Sequence, residues 1–454
     1  MFSGYRIYLC PVLLACALLL SSCVGQAPDD SLYSDIFFVN NTHQPLSIQV
    51  QQTGDALLLA GEHYFVYENS VPAFTTQRIL RINRQLPIAA NQEIYFSTRV
   101  ENDNVSLELN QTVLSLVSDS ALSFGGTVDD SALPFQVDTQ IHRTAFAQSD
   151  GLIAEFAFRR KKKGLYSDID YVLTESYQPA VLDSSPDKLS VLTYNVWALP
   201  FVSNQIAERL NVMPEYLAQY DVLLLQEAFS SDRENLIRTL EEDYGYRYVT
   251  KILNNPEPNI FNGGVILLSR YPIVNQAQTY FPDCAGSDCL ADKGINYMEI
   301  IKQGRSYHIF SAHTASFDTD IARLYRQNQF EQMREFTESL EIPKNETVIY
   351  GGDFNVNKLL FPEDYQQMLA TLEASEPTYT GHTESTFDPF INVHGTAFGS
   401  GGDHIEYLDY VLVSNQYAVP NANVNNVRIP RSTTQSLWGL WDLSDHFPVE
   451  AFIE

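Results

Sequence analysis

Polar side chains that can bind a metal ion or move a proton recur at the ends of apolar segments in the second half of the chain. Eight residues share this placement: Asn195, Glu227, His313, Asp353, Asn355, Asp409, Asp445 and His446. Any one of them alone would be more typical of a helix cap or a turn. Together they predict one site, because carboxylates and imidazoles are costly to bury unless they pair or bind a metal. Oxygen and imidazole ligands without a thiolate favour Mg²⁺ or Mn²⁺ over zinc.

The elements that must position these residues form an alternating pattern after residue 188. Buried-type strands are predicted at 189–194, 222–226, 264–269, 307–312, 347–350 and 408–413. Amphipathic helices are predicted at 205–219, 233–242, 321–340 and 363–372. Strands with apolar residues on both faces and helices outside them indicate a layered α/β fold.

The first part of the chain has a different pattern of apolar and polar residues. Short apolar or alternating runs lie at 35–39, 46–51, 64–67, 94–100, 105–109 and 152–158, separated by turn residues. They predict an all-β, sandwich-like domain over 23–174 that carries no catalytic motif. Residues 175–188, with Pro179 and Pro186, are predicted to be a linker, and 189–454 the catalytic domain. The basic run 159–163 favours a solvated strand edge or loop over a contact with anionic lipid.

The N-terminus predicts export. An apolar run at 7–20 follows Arg6 and is too short for a permanent membrane span, so residues 1–22 are predicted to be a signal peptide. Leu20-Ser21-Ser22-Cys23 resembles a bacterial lipobox, which predicts a lipid anchor on Cys23 in the outer membrane or on the surface of a Gram-negative bacterium. The alternative is an ordinary signal peptide. The remaining Cys284 and Cys289 then predict a local disulfide rather than a metal site.

The composition and charge of the chain limit the classes of partner that it is expected to bind. The chain has 454 residues, 44% of them hydrophobic, which excludes a disordered or fibrous protein. Its 28 basic and 56 acidic side chains give a formal net charge of −28. Such an excess repels polyphosphate backbones, so nucleic acid is not expected as a partner.

The ordered motifs resemble the endonuclease/exonuclease/phosphatase superfamily and, within it, the neutral sphingomyelinases. Gly352-Asp353-Phe354-Asn355 and Ser444-Asp445-His446 mark the superfamily. The narrower resemblance rests on Glu227-Ala228-Phe229, Asp292-Lys293-Gly294, Asn355-Val356-Asn357 and Glu406-Tyr407-Leu408-Asp409-Tyr410. It covers 188–454 and implies a four-layer α/β/β/α sandwich.

The resemblance also implies how a phosphodiester would be cleaved. Glu227 would bind the catalytic Mg²⁺, which Mn²⁺ or Co²⁺ could replace, with Asn195 and Asp445 beside it. His446 would take a proton from the attacking water, and Asp409 would orient and stabilise its imidazole.

The remaining polar residues would assist that step. Asp353 and Asn355 would position the water and a phosphate oxygen. His313 would donate a hydrogen bond or a proton towards the leaving group. Lys293, beside Asp292, belongs to a motif that in the family sets the active arrangement of the site.

Three aromatic residues suggest which class of substrate the site binds. Phe229 resembles the family aromatic near the lipid head group, where a ring can face a quaternary ammonium; the alternative is a core phenylalanine. Trp438 and Trp441 lie where bacterial sphingomyelinases carry an exposed aromatic hairpin that enters the bilayer; the alternative is a buried corner cluster.

The predicted function is therefore Mg²⁺-dependent hydrolysis of sphingomyelin to ceramide and phosphocholine by a monomer acting at a sphingomyelin-containing membrane. Two alternatives stay open. One is an extracellular nuclease or phosphatase on the same scaffold, and the other is a lipid-binding adhesin with an inactive enzyme half.

Overall fold

The chain divides into two compact units, with the main division between Leu173 and Thr174. The structure is a computed structural model that describes residues 33–54, 64–65, 70–83, 94–101, 106–113, 122–128, 131–132, 135–136, 142–147, 153–163, 166–176, 182–256, 259–395 and 404–454. The predicted signal peptide and Cys23 lie outside these residues. No helix among them is long and apolar enough to cross a membrane.

The N-terminal unit is built from strands, as predicted. They are β1 (Tyr33–Asn41), β2 (Ser47–Gly54), β3 (Tyr64–Phe65), β4 (Thr76–Asn83), β5 (Ile94–Glu101), β6 (Ser106–Val113), β7 (Leu122–Val128), β8 (Ser131–Ala132), β9 (Phe135–Gln136), β10 (His142–Ala147), β11 (Ile153–Lys163) and β12 (Tyr166–Ser176). One sheet has the order β10-β11-β12-β1-β4-β3, and the other has the order β2-β5-β6-β7-β8 with β9 paired to β7.

Two details of this unit bear on the sequence prediction. The basic run 159–163 is the end of strand β11, whose neighbours in the sheet order are β10 and β12. Lys161 forms an ion pair with the buried Asp170 at 2.6 Å. Strand β12 also continues to Ser176, so the first two residues of the predicted linker are part of a strand.

The C-terminal unit alternates strands and helices. Its strands are β13 (Leu189–Asn195), β14 (Val222–Gln226), β15 (Tyr248–Val249), β16 (Ile266–Ser269), β17 (Ile273–Tyr280), β18 (Gly294–Lys302), β19 (Arg305–His313), β20 (Thr347–Asp353), β21 (Ala374–Ser375), β22 (Thr378–Gly381), β23 (Asp409–Ser414), β24 (Asn423–Val427) and β25 (Val449–Ile453). Its α-helices are α1 (Ile206–Val212), α2 (Pro214–Leu217), α3 (Arg233–Tyr244), α4 (Asp320–Ser339) and α5 (Pro362–Thr371), with short 3₁₀ turns at Gly286–Leu290 and Gln435–Leu437.

These strands form two sheets. The first has the order β15-β16-β14-β13-β25-β24-β22, and the second has the order β17-β18-β19-β20-β23-β21. Within β13, Val191 belongs to the core shared by the two sheets, whereas Leu192 belongs to the core shared with the helices. This alternation follows from the two-residue period of a strand whose two faces are both buried.

Helices cover the outer face of each sheet. Leu210 of α1, Leu217 of α2 and Leu236 of α3 pack against the first sheet. On the second sheet, the ring of Phe336 in α4 contacts Phe310 edge to face, with ring centroids 6.0 Å apart. The predicted four-layer α/β/β/α sandwich is therefore confirmed.

The predicted helix at 205–219 is two helices. Helix α1 ends at Val212, and α2 begins at Pro214. Proline has no amide hydrogen to donate and clashes with a preceding turn, so the helical hydrogen bonding is interrupted there. The other three predicted helices match α3, α4 and α5 to within two residues at each end.

Candidate active site

The carboxyl ends of β13 and β14 bring the first two site residues together. These strands are parallel neighbours, with Asn195 opposite Gln226, so Asn195 and Glu227 leave the sheet side by side. The Asn195 amide nitrogen donates to Glu227 Oε1 at 3.2 Å and to Asp353 Oδ2 of the second sheet at 3.0 Å. One asparagine thus links the polar ends of the two sheets.

The second sheet contributes three neighbouring residues. In its register, His313 of β19 lies beside Asp353 of β20, and Asp353 lies beside Asp409 of β23. Nε2 of His313 is 3.5 Å from Asp353 Oδ2. Gly352 makes this close packing possible, because a Cβ there would lie 2.0 Å from the carbonyl oxygen of Ala312.

His446 joins this group from the loop before β25. Its Nδ1 and Asp409 Oδ2 are hydrogen-bonded at 2.9 Å, and its Nε2 is 3.8 Å from Asp353 Oδ2. The segment just before it is held to the first sheet, since the Ser444 hydroxyl donates to the carbonyl oxygen of Asn195 at 2.6 Å. Asp445 Oδ1 lies 3.2 Å from the same hydroxyl oxygen.

The backbone is strained at this site. Glu227, Asn355 and Trp197 have φ angles of 53°, 50° and 46°, in the left-handed region. Asparagine adopts this conformation readily, but glutamate and tryptophan do so at an energetic cost. Such outliers persist only where the surrounding structure over-determines them, and they concentrate at functional sites.

The carboxylates of the site lie close enough to repel one another. Burial and the charge of Asp445 raise the pKa of Glu227 to about 7, and burial likewise raises the pKa of Asp445. Burial raises the pKa of Asp409 to about 6, although His446 opposes this shift. Burial opposes ionisation of Asp353 too, but the neighbouring imidazoles His446 and His313 lower its pKa overall.

The two histidines have opposite electrostatic environments. Burial disfavours the imidazolium of His446, but the carboxylates of Asp409 and Asp353 raise its pKa well above the ordinary value. Burial and the positive charge of Lys293 lower the pKa of His313 to about 4. His446 is therefore suited to hold a proton between carboxylates, and His313 stays neutral at physiological pH.

The residues present fit a divalent cation. Ligand atoms of Asp353, Asp409 and His446 lie within 4.8 Å of one another. Asp409 Oδ1 is buried without a hydrogen-bond partner among the described residues. Glu227 and Asn195 add oxygens from the opposite sheet, so the donor set is that of a hard ion, and its charge would relieve the repulsion among these carboxylates.

Lys293 and Asp292 have separate positions. The Lys293 ammonium donates to the carbonyl oxygen of Thr314 at 3.0 Å and lies 3.5 Å from Asp288 Oδ1, so it supports the loop that follows His313. Asp292 accepts from the amides of Asn255 and Asn259, each at 3.1 Å. These hydrogen bonds hold Asp292 to the loop that carries Asn255 and Asn259.

The structure contains the predicted disulfide, because Cys284 and Cys289 are bonded to each other.

Asn355 contacts two strand ends of the second sheet. Its backbone amide donates to Asp353 Oδ1 at 3.1 Å, and its side-chain nitrogen donates to the carbonyl oxygen of Thr314 at 3.3 Å. Asn355 is thus held between the strand ends that carry Asp353 and His313.

The aromatic residues divide into two groups. Phe229 is half-buried, and its ring packs against Phe261 with centroids 5.9 Å apart. Trp441 is only 6% exposed and Trp438 is half-buried; their rings pack edge to face at 5.2 Å. The segment that carries the two tryptophans contains a 3₁₀ turn, and Leu437 of this turn joins the helix-side core.

Arg209 is a site-supporting residue that the sequence did not reveal. Although it lies in α1, it is fully buried. Its guanidinium donates to the carbonyl oxygens of Val196, Trp197 and Leu443, at 2.9, 2.5 and 2.7 Å. Arg209 therefore joins the loop after Asn195 to the loop that carries His446. An arginine in an amphipathic helix ordinarily indicates a solvated face, and no local signal distinguishes this one.

We expect Arg209→Lys to lower the free energy of unfolding of the C-terminal unit by about 2 kcal/mol, because a lysine cannot supply these convergent donors and leaves buried carbonyls unpaired. All three tryptophans lie in this unit, so their fluorescence during urea unfolding measures the change selectively. Arg238→Lys, at an exposed position of α3, is the control and should change stability by less than about 0.5 kcal/mol. Equal midpoints for the two variants would contradict this role of Arg209.

Comparison with known proteins identifies the family of the C-terminal unit. Residues 192–446, more than half of the chain, match the Endonuclease/Exonuclease/phosphatase family. Sphingomyelinase C 2 of Leptospira interrogans is 32% identical over 303 residues, which are 61% of this chain and 48% of that protein. The chain thus spans about half the length of the Leptospira relative. Sphingomyelinase C of Bacillus cereus is 31% identical over 309 residues, which are 60% of this chain and 91% of that protein.

Solved structures of bacterial proteins are also similar to this chain. Beta toxin from Staphylococcus aureus has a TM-score of 0.54 and 28% identity, covering 59% of this chain and 100% of that chain. A variant of that toxin, solved with bound magnesium ions, also has a TM-score of 0.54, with 27% identity and the same coverage. The chain therefore belongs to the Endonuclease/Exonuclease/phosphatase family and, within it, to the group of the bacterial sphingomyelinases C.

Proposed function

We propose that this protein is a Mg²⁺-dependent phosphodiesterase that hydrolyses sphingomyelin to ceramide and phosphocholine. The observation that carries the proposal is the His446–Asp409 pair, which lies beside Asp353 at the point where Asn195 joins the two sheets. The relatives named sphingomyelinase C support the choice of substrate, and the toxin variant with bound magnesium supports the choice of metal.

In the proposed reaction a water oxygen forms a bond to phosphorus, and the bond between phosphorus and the ceramide oxygen breaks. His446 accepts the proton of the water at Nε2, while Asp409 holds its Nδ1. The resulting imidazolium is stabilised by Asp409 and Asp353, in line with the raised pKa of His446.

Other residues hold the substrate and the metal. Glu227 and Asn195, with Asp445 and Asp353 nearby, would bind Mg²⁺, whose charge stabilises the phosphate oxygens and the departing alkoxide when it is bound. His313, neutral because of its lowered pKa, donates a hydrogen bond towards the leaving oxygen. Asn355 orients the phosphate from its position beside Asp353.

Head-group-resolved lipid hydrolysis tests the proposal. The purified protein should release phosphocholine from sphingomyelin in Mg²⁺ and stop when EDTA is added. Phosphatidylcholine in the same assay tests selectivity between choline lipids, and DNA tests the nuclease alternative. Efficient cleavage of DNA with none of sphingomyelin would overturn the proposal, as would sphingomyelin binding with no hydrolysis under any metal condition.

The pH dependence of the rate tests the role of Asp409. The activity should rise with pH as His446 loses its proton, since only the neutral imidazole can accept one. Asp409→Asn removes a charge that raises the His446 pKa, so the acidic limb of kcat/KM should move to lower pH while the maximum falls by about 100-fold or more. The measurement is kcat/KM from pH 5 to pH 10. An acidic limb that stays in place would show that Asp409 does not control the protonation of His446.

The cellular location is part of the proposal. The apolar run at 7–20 and the Leu20-Ser21-Ser22-Cys23 motif support export and lipid anchoring at Cys23, in the outer membrane or at the cell surface. Such an anchor would keep the C-terminal unit close to a membrane surface.

A further inference from the structure

Three polar side chains lie in the interface between the two sheets of the C-terminal unit, next to the active site. They are Thr193 of β13, Gln226 of β14 and Ser311 of β19, and we name them the polar layer. All three are fully buried. Burial of a polar side chain among apolar residues costs free energy unless the side chain is hydrogen-bonded, and a satisfied buried network specifies one arrangement of its surroundings.

The polar layer separates the apolar core from the site residues. Because side chains alternate between the two faces of a strand, every second residue faces the other sheet. In two strands a core residue is followed two positions later by a residue of the polar layer, and two positions later again by a site residue: Val191, Thr193 and Asn195 in β13, and Ile309, Ser311 and His313 in β19. The polar layer is therefore the last interior layer before the site.

Gln226 connects the two sheets within this layer. Its side-chain nitrogen donates to Ser311 Oγ of the second sheet at 3.2 Å and to the carbonyl oxygen of Leu224 at 3.0 Å. Its Oε1 accepts from the Thr193 hydroxyl at 3.2 Å. A planar amide offers its donors and acceptors in fixed directions, so these three bonds form together only at one relative position of the strands.

The sheets approach each other closely at the same layer. Gly351 of β20 is the register neighbour of Ser311, and a Cβ at this glycine would lie 2.5 Å from Leu224 Cδ1 of the first sheet. Leu224 thus packs on the backbone of β20, two residues before Asp353. This apolar contact brings the sheets together but has no direction, whereas the hydrogen bonds of Gln226 are directional.

We propose that Gln226 is a positioning residue that fixes the register of the two sheets and thereby holds the metal-binding residues of the first sheet against Asp353 of the second. The inference deepens the proposed function and rests on it for the reaction. Gln226 precedes Glu227 in the chain and lies opposite Asn195 in the register of β13 and β14. A shift of Gln226 is therefore transmitted to both residues and to the 3.0 Å contact of Asn195 Nδ2 with Asp353 Oδ2.

The test compares variants of the full chain. Thr193→Val/Gln226→Met/Ser311→Ala, the layer variant, removes the donors and acceptors of the polar layer together and leaves apolar side chains of similar volume. Tyr350→Phe/Thr337→Val is the matched control, because it removes a buried 3.1 Å hydrogen bond that joins β20 to helix α4 instead of to the other sheet. The measurements are thermal unfolding, calorimetric titration with Mg²⁺, and kcat for the soluble ester p-nitrophenylphosphocholine.

We expect the thermal midpoint of the layer variant to stay within about 4 °C of the wild type, because both partners of each side-chain hydrogen bond become apolar. Its Mg²⁺ affinity and its kcat at saturating Mg²⁺ should each fall by about 10-fold to 100-fold, since ligands and reacting groups on different sheets lose their alignment. In a crystal structure of this variant, the contact between Asn195 and Asp353 should lengthen beyond hydrogen-bonding distance. The control should keep Mg²⁺ affinity and kcat within about twofold, whatever its midpoint.

Two single variants keep the test decisive if the layer variant does not fold. Thr193→Val removes the hydroxyl that holds the Gln226 amide at nearly constant volume, whereas Thr193→Ser keeps the hydroxyl and removes a methyl group. Thr193→Val should weaken Mg²⁺ binding by about threefold or more, and Thr193→Ser should bind within about twofold of the wild type. A residue that only stabilised the fold would not separate the two variants in this way.

A layer variant that keeps the Mg²⁺ affinity and kcat of the wild type would overturn the positioning role of Gln226. So would a control variant that loses both to the same extent, or equal losses in Thr193→Val and Thr193→Ser. A wild type that binds Mg²⁺ but hydrolyses no phosphodiester would overturn the proposed function. Weaker Mg²⁺ binding by the layer variant would in that case still support the role of Gln226 in aligning the sheets.

Discussion

His446→Ala is expected to lower kcat for sphingomyelin hydrolysis by about three orders of magnitude, with a much smaller change in KM. The physical reason is that His446 is the imidazole beside Asp353 that is hydrogen-bonded to a carboxylate, Asp409, and general-base catalysis contributes about 100-fold to 10,000-fold. Steady-state phosphocholine release at saturating Mg²⁺ measures the effect. The vesicle binding of this variant should equal that of the wild type.

The matched control for this variant is His308→Ala. His308 is also buried and also paired with a carboxylate, since its Nε2 and Glu346 Oε2 are hydrogen-bonded at 2.6 Å. It lies five residues before His313 on β19, away from the site. If loss of a buried histidine acted only through stability, the two variants would lose activity alike. A decrease of less than tenfold for His446→Ala would reject its assignment as the base.

Glu227→Gln is expected to weaken Mg²⁺ binding at least tenfold and to lower kcat at saturating Mg²⁺ by about 100-fold. The amide can keep the contact with Asn195 through its oxygen but lacks the charge that a divalent cation requires. Calorimetric titration with Mg²⁺ and the Mg²⁺ dependence of the rate measure the two effects separately. Glu234→Gln, on the exposed face of α3, is the control and should leave both unchanged.

Glu227→Gln also has an expected effect on the pH dependence of stability, which is measured without metal. The pKa of Glu227 is raised from its ordinary value of 4.5 to about 7, so the folded protein holds a proton that the unfolded chain releases between these values. Unfolding then releases a proton in this range, and the wild type in EDTA should lose stability as the pH rises from about 4.5 to 7. Glu227→Gln should lack this part of the loss. Parallel stability curves for the two proteins would contradict the raised pKa of Glu227.

The strand ends show which part of the site was predictable. Asn195, Glu227, His313 and Asp353 each end or follow a strand whose apolar pattern is unambiguous, and neighbouring parallel strands end at the same edge of a sheet. Asp409 begins β23, which is antiparallel to β20, so it lies at the same edge. Their convergence within each sheet could therefore be inferred from periodicity and the motifs. The helix boundaries were predictable for the same reason, except at Met213, where the following proline divides one amphipathic pattern into two helices.

The roles of individual side chains were less predictable where they depend on distant partners. Asp292 stands beside Lys293 in the sequence, yet it accepts hydrogen bonds from Asn255 and Asn259, while the Lys293 ammonium contacts the loop after His313. Adjacent residues in a turn can point to different neighbours, and local spacing contains no information about which. Trp441 illustrates the same limit, because an apolar aromatic segment is equally compatible with a lipid interface and a packed corner.

By itself, the sequence determined the polar set of the site, the order of its motifs, the layered α/β fold and the excess of negative charge. Only the tertiary structure decided that Asn195 joins Glu227 to Asp353 across two sheets, that Arg209 joins the loop after Asn195 to the loop that carries His446, and that Trp441 is buried against Trp438. The reason is physical: periodicity reports which face of a strand or helix is buried, whereas contacts between residues far apart in the chain depend on how whole layers pack.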